Sequence, residues 1–210
     1  MSQIRIPLEE LPERYAFVDP ASSKKDGELR LVRARSAIVT ITSDWLGRIF
    51  VLEAWAERTS TDKLIEKMYA THETWKLRSL GGEANGLQEL FQEAVLRDAR
   101  LRGKRLPLNP IHQPTRVEKD WRIRTTLQPI IASGRLFLRP DMTELRTEIA
   151  SFPMTPIKDL VDALSSAVRM LPKRAKSQKD DSELESLLDY LRKSGASPSV
   201  IEEVARRRRV

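Results

Sequence analysis

Cysteine is absent from the 210 residues, and histidine occurs only twice. The first absence excludes disulfides, thiol nucleophiles and cysteine-bound metals, and two isolated imidazoles do not build a zinc site of the usual kind. Any metal ion must therefore be held by oxygen. No apolar run approaches the roughly 20 residues of a membrane span, and the opening MSQIRIPLEELPERY has no apolar secretory segment. The expectation is a cytosolic protein with no membrane partner. A GxxxxGK(S/T) phosphate loop is also missing, so ATP binding of the P-loop kind is not expected of this chain.

What is present is an ordinary share of hydrophobic residues, 40%, and an excess of base over acid. Lys and Arg number 37 against 30 Asp and Glu, a net charge of +7. The first figure fits a folded soluble domain with a full core, and the second favours a polyanionic partner, with nucleic acid the leading candidate.

Periodicity predicts an alternation of strands and helices. RYAFVDPA reads as a short strand that ends at an Asp-Pro turn, and SSKKDGELRLVRAR as a basic loop or hairpin arm. SAIVTITSDW and GRIFVLEAWAER are β-branched, apolar runs expected to pair antiparallel. TSTDKLIEKMYATHETWKL carries cap residues and helical spacing. RSLGGEANGLQELFQEAVLRDARLRG predicts a strand running into a long helix, LPLNPIH a strand, TRVEKDWRIRTTLQPIIASG a helix bent at Pro129, and RLFLRP a strand. MTELRTEIASF reads as a helix stopped by Pro153, and PIKDLVDALSSAVRML as a core helix. This order points to an α/β fold, a mixed β-sheet flanked by helices. Composition shifts near Pro172, giving a compact domain over 1–172. Residues 173–210 then form a basic linker and a tail with two short amphipathic helix candidates, SELESLLDYLRKSG and SPSVIEEVARRRRV.

Carboxylates stand at three element edges: Asp19 after the first strand, Glu83 among glycines after a central strand, and Asp159 with Asp162 at the start of the last core helix. Each has a plain structural reading. Asp before Pro is a common turn residue, a Glu among glycines suits a solvated loop, and an acid in a helix's first turn is favoured by the macrodipole. Brought together, however, they would form an all-oxygen site for Mg²⁺ or Mn²⁺, and two such ions can promote phosphodiester hydrolysis.

The succession FVDPA, SAIVTI, IFVLEAWAERTSTDKLIEKM, GGEANGLQELF, KDWRIRTTLQPIIASGRLFLRP, TELRTEIASFP and KDLVDALSSAV resembles the nuclease domain of large terminase subunits of tailed bacteriophages, over residues 14–171. The resemblance implies a ribonuclease H-like fold and metal-dependent cutting of concatemeric phage DNA during genome packaging. It makes Asp19, Glu83 and Asp159 the catalytic set and metal ligands, with Asp162 a further ligand or a support. It also implies double-stranded DNA, the ATPase domain of the same large terminase, the portal and the small terminase as partners, in the host cytoplasm. Two positions depart from the pattern. Lys158 stands where an acid is common, and Arg35 and Ser36 stand where an acid often precedes the second strand. Both departures remove negative charge, which weakens one of two ion sites or, at Lys158, supplies a phosphate contact.

Basic clusters complete the expected site. Arg102, Lys104 and Arg105 fall in RDARLRGKR, and Lys119 and Arg122 in RVEKDWRIR, where they coincide with a basic pair in the terminase pattern. With Lys158 they are the candidate DNA contacts, of the kind that give affinity without sequence readout. Trp45, Trp55, Trp75 and Trp121 are expected in the core or half-buried. Two rival readings remain open at this level: a nuclease of the Holliday-junction-resolvase type, and a non-catalytic DNA-binding or assembly module.

Overall fold

The computed structural model describes residues 13–21, 35–44, 46–83, 89–111 and 118–172, with backbone alone for 89–92, and the single positions 188, 189, 192 and 198. The chain divides into two compact units, Met1–Leu171 and Pro172–Val210. Six strands and five helices are described in the first: β1 Arg14–Asp19, β2 Ser36–Ser43, β3 Ile49–Glu57, α1 Thr61–Trp75, β4 Ser79–Glu83, α2 Glu89–Arg102, β5 Leu108–Ile111, α3 Lys119–Ala132, β6 Leu136–Phe137, α4 Thr143–Ser151 and α5 Asp159–Met170. The basic arm between β1 and β2 and most of the tail lie outside the described residues. In the tail, Leu188, Asp189, Arg192 and Pro198 have helical backbone.

The strands form one mixed sheet in the order β5-β4-β1-β2-β3-β6. β1, β2 and β3 are an antiparallel meander, in which β2 pairs with β3 as their β-branched runs predict, with a register shift between Thr40 and Ile41. β4 lies parallel to β1, and β5 parallel to β4. Parallel strands need crossovers, and the helices supply them, covering both faces. For that reason β1 reads as the continuous apolar run Tyr-Ala-Phe-Val. Ala16 and Val18 face one way, into a core with Leu64, Ile65 and Met68 of α1 and Val95 of α2. Tyr15 and Phe17 face the other way, onto Ile123 and Leu127 of α3, Leu145 of α4, and Leu160, Ala163, Leu164 and Ala167 of α5.

The period of two fixes what happens at the strand ends. Asp19 follows Phe17 on the α5 side. On β4, a methyl group added at Gly81 would stand 2.5 Å from Met170 Sδ of α5 and 2.9 Å from Ile111 Cδ1, so Gly81 and Glu83 share that side. The missing side chain lets the end of α5 lie close against the strand. Gly81→Ala is expected to cost about 1 kcal/mol, the low end for overpacking because both obstructing atoms are side-chain ends. Thermal denaturation checks this, and an unchanged melting temperature would show that Met170 simply swings aside.

α5 begins at Asp159, preceded by Lys158, which has no side-chain oxygen to cap a helix. The acceptor comes from another helix. Glu148 Oε2 on α4 accepts from the backbone N–H groups of both Leu160 and Val161, each at 3.0 Å. Two donors that a Ser or Asp cap would otherwise serve are thus held by one buried carboxylate, which ties the first turn of α5 to α4. α3 runs through Pro129 to Ala132, so the proline falls in its last turn.

Among the described residues no helix is long and apolar enough to cross a membrane.

Candidate active site

The parallel pairing of Val18 with Gly82 carries β1 and β4 to the same edge of the sheet, where they end at Asp19 and Glu83. β2 runs the opposite way, so its start is at that edge too, and Arg35 immediately precedes it. The first turn of α5 brings Asp159 and Asp162, one turn apart on one helix face. The four predicted carboxylates are therefore gathered at one edge. The negative charges of Asp162, Glu83 and Asp159 all bear on Asp19.

Asp19 is the exceptional member. Among the described residues no hydrogen bond or ion pair engages its carboxylate. Burial first, then the charges of Asp162, Glu83 and Asp159, push its pKa up from 3.8 to about 7, against the opposing pull of Lys119. Some of its surface still reaches solvent, so the raised value reflects the crowd of protein and negative charge around it.

The other carboxylates have cations attached. Asp162, 4% exposed, receives Lys119 Nζ at 2.8 Å on one oxygen and Arg122 Nη2 at 3.0 Å on the other. The same Arg122 nitrogen stands 3.8 Å from Glu83 Oε1. Burial works against the Lys119 charge, but Asp162, Asp19 and Asp159 outweigh it and raise its pKa. Asp159 Oδ2 accepts from Arg35 Nε at 3.1 Å. Arg35 also reaches Glu148 at 2.9 Å and pairs with Glu144. Burial opposes its charge too, and the bonds to Glu144 and Asp159 raise its pKa. Burial raises the pKa of Glu148 against the pull of its backbone donors and Arg35.

Of the six expected DNA contacts, Lys119 and Arg122 reach this edge, bound to Asp162. Lys158 does not present a free ammonium, since it lies 2.6 Å from Asp120 and 5.6 Å from the centre of the Phe152 ring. Arg102, Lys104 and Arg105 are not brought to the site. They precede β5, whose start pairs with the start of β4, at the end of the parallel strands remote from Glu83. There Arg102 pairs with Asp98 at 2.5 Å, and Lys104 with Glu73 at 3.2 Å. Trp55 and Trp75 are half-buried as expected, and the Trp75 indole donates to Glu53 at 2.8 Å. Trp121 departs from expectation: it is 58% exposed, on the first turn of α3 beside Asp120 and Arg122. Trp45 lies outside the described residues.

The residues that sequence reasoning missed are Glu148 and the partner set of Arg35. The available signal for Glu148 was its place in TELRTEIASF, where Leu145, Glu148 and Ile149 share a face at helical spacing. A Glu on an apolar face has to find a partner.

The donors here are all oxygen, which suits a hard divalent cation. Among the described residues Asp19 has no hydrogen-bond or ion-pair partner in a field of negative charge, so a cation beside it would relieve that charge, and Glu83 stands at the same edge. Among the described residues no three carboxylate or imidazole groups converge closely enough to enclose an ion, because Asp159 and Asp162 are drawn to arginine and lysine.

No protein-family model and no curated protein sequence matches the chain. Solved structures do. The large terminase of bacteriophage HK97 superposes with a TM-score of 0.52 at 14% identity, over 74% of this chain, which spans 39% of that protein. The nuclease domain of the P22 large terminase gives 0.52 at 14% identity, over 79% of this chain and 90% of that domain. The large terminase nuclease of the thermophilic phage G20c, solved with bound zinc, gives 0.50 at 12%, over 77% and 87%. With its meander, parallel β4 and β5 and flanking helices, the chain has the ribonuclease H-like fold seen in these terminase nucleases.

Proposed function

We propose that this chain is a divalent-cation-dependent DNA endonuclease, the nuclease part of a phage large terminase, which cuts concatemeric double-stranded DNA during genome packaging. The observation that carries the reading is Asp19, a carboxylate unpaired among the described residues, with a pKa raised to about 7, at the end of the central strand beside Glu83, Asp159 and Asp162. A Mg²⁺ or Mn²⁺ ion supplies, when bound, a water of lowered pKa and stabilisation of charge on the phosphate oxygens. Asp19 and Glu83 would hold it, with Asp159 completing the catalytic set. Asp162 serves as the anchor that fixes Lys119 and Arg122 across the edge, where their charge faces incoming phosphate. No covalent enzyme intermediate is needed, and the absence of cysteine fits that.

The partners follow from the same reading: double-stranded DNA, an ATPase domain of the same large terminase, and the portal and small terminase, in the host cytoplasm. Translocation is assigned to the ATPase, since this chain has no P-loop. The span of 39% of the HK97 protein, against 87% and 90% of the isolated nucleases, supports that division.

The test is cleavage of supercoiled plasmid with Mg²⁺, with Mn²⁺ and with chelator, beside Glu83→Ala. Nicking and linearisation that need the ion and vanish in the variant are expected. Salt-sensitive DNA binding without cleavage under any ion would favour the second reading, a DNA-binding module. That reading draws on one observation, the fixed cations on Asp159 and Asp162.

A further inference from the structure

Arg35 sits one residue ahead of β2 with its side chain 17% exposed, and each of its three nitrogens meets a different carboxylate. Nε donates to Asp159 and Nη2 to Glu148, while Nη1 pairs with Glu144. One positive centre thus gathers three acids from two helices, which is the task a metal ion performs in an all-oxygen site. Glu148 turns its other oxygen to the N–H groups of Leu160 and Val161. The first turn of α5, and Asp159 on it, is therefore held in place by the protein's own charges. The guanidinium cannot lose its proton at any working pH, so the positive charge at this point is constant.

We propose that Arg35 is a positioning residue that stands in for a second cation, so that this edge takes one divalent ion, on Asp19 and Glu83. The proposal rests on the metal-dependent reading above and narrows it. An ion placed on Asp159 would meet a fixed positive charge 3.1 Å from the carboxylate oxygen. On the other flank, Lys119 and Arg122 occupy the two oxygens of Asp162. Asp19 is left, with Glu83, whose nearest cation among the described residues is the Arg122 nitrogen that lies closer to Asp162, at 3.0 Å, than to Glu83, at 3.8 Å. Two carboxylates suffice for Mg²⁺ or Mn²⁺, which keep several waters and complete their shell with substrate phosphate. This also accounts for the absence, among the described residues, of three carboxylates placed to hold an ion.

If Arg35 merely braced α4 against α5, its replacement would lower stability without altering the number of ions bound. The experiment counts bound Mn²⁺ per chain by electron paramagnetic resonance on the whole protein, with no DNA present. The expected count is one. Asp159→Asn should leave the affinity within about twofold, whereas Glu83→Gln should lower it by about tenfold or more, the scale of losing a metal contact. Arg35→Gln should admit a second ion, and Arg35→Lys should restore the count of one. Two ions in the unaltered protein, or an Asp159→Asn loss as large as that of Glu83→Gln, would overturn the proposal while leaving the nuclease reading in place. The Asp159 and Glu83 comparison decides the matter even if Arg35→Gln does not fold. No bound Mn²⁺ at all, together with no cleavage, would overturn both.

Discussion

Asp19→Asn is expected to abolish plasmid cleavage while leaving DNA affinity nearly unchanged. The amide keeps the shape of the carboxylate at the end of β1, so the pairing of Asp19 with Ala37 should survive. What it removes is the charge best placed to hold a cation. The loss should be at least about 10²-fold, since even a single preorganised electrostatic contact is commonly worth that much. Binding should persist because, on the proposed reading, phosphate affinity rests on basic residues, among them Lys119 and Arg122. Full cleavage by the variant would remove Asp19 from the catalytic set.

The same substitution has a second, separable signature in stability. The folded-state pKa of Asp19 is raised to about 7 from an ordinary value of 3.8, so between those values the folded protein holds a proton that the unfolded chain has released. Stability contributed by this group is therefore greatest below pH 4, falls as pH rises from 4 to 7, and is level above that. Integrated and discounted for partial solvent access, the span is about 2–4 kcal/mol. Metal-free protein should accordingly melt at a lower temperature at pH 8 than at pH 6. Asp19→Asn should flatten most of that slope, and Mn²⁺ should raise the melting temperature at pH 8 in the unaltered protein alone. A slope that persists in the variant would place the titrating group elsewhere.

The division between what was legible in the sequence and what was not follows the range of the interactions. Strand and helix identities rest on local period, and β1, β2, β3 and α1 lie where their apolar spacing puts them. The edge position of Asp19 and Glu83 was readable because each follows a short apolar run, and parallel pairing then carries both to one end. Lys119 and Arg122 were read as DNA contacts from their charge and their match to a basic pair in the terminase pattern. Their pairing with Asp162 was not readable, because it joins residues 40 or more positions apart across two helices. Arg35 was visible only as a missing acid. Its role depends on Glu144, Glu148 and Asp159 arriving together, more than 100 residues downstream. Arg102, Lys104 and Arg105, also expected as DNA contacts, lie at the other end of the parallel strands. Charge density marked them, but density carries no information about which end of the sheet a turn occupies.

Removal of the Glu148 side chain is expected to have the largest effect on stability of any change near the site. Its residue is 4% exposed, and its two oxygens serve three donors: Arg35 Nη2 at 2.9 Å and the N–H groups of Leu160 and Val161 at 3.0 Å. Glu148→Ala would leave a largely buried guanidinium short of one counter-charge and the first turn of α5 with two unserved donors. Breaking a buried ion pair from one side costs about 3–5 kcal/mol, and unpaired backbone donors cost on the order of 1–3 kcal/mol each when water cannot replace the acceptor. Because Glu144 and Asp159 remain on Arg35, the ion-pair part should fall to or below about 3 kcal/mol, and with the backbone donors partly served by water the loss should be about 3–5 kcal/mol in all. Glu148→Gln should cost less. It keeps an oxygen for Leu160 and Val161 and gives up only the charge, and that split between the two variants separates capping from ion pairing. For a unit of this size the alanine variant should melt roughly 6–20 °C lower. The consequence for activity follows from the same geometry. If α5 loses its cap, Asp159 and Asp162 lose their common anchor, and cleavage should fall in Glu148→Ala even at temperatures where the sheet stays folded. A melting temperature within about 2 °C of the unaltered protein, less than 1 kcal/mol by the same conversion, would show that water takes over the two N–H groups and that α5 needs no support from α4.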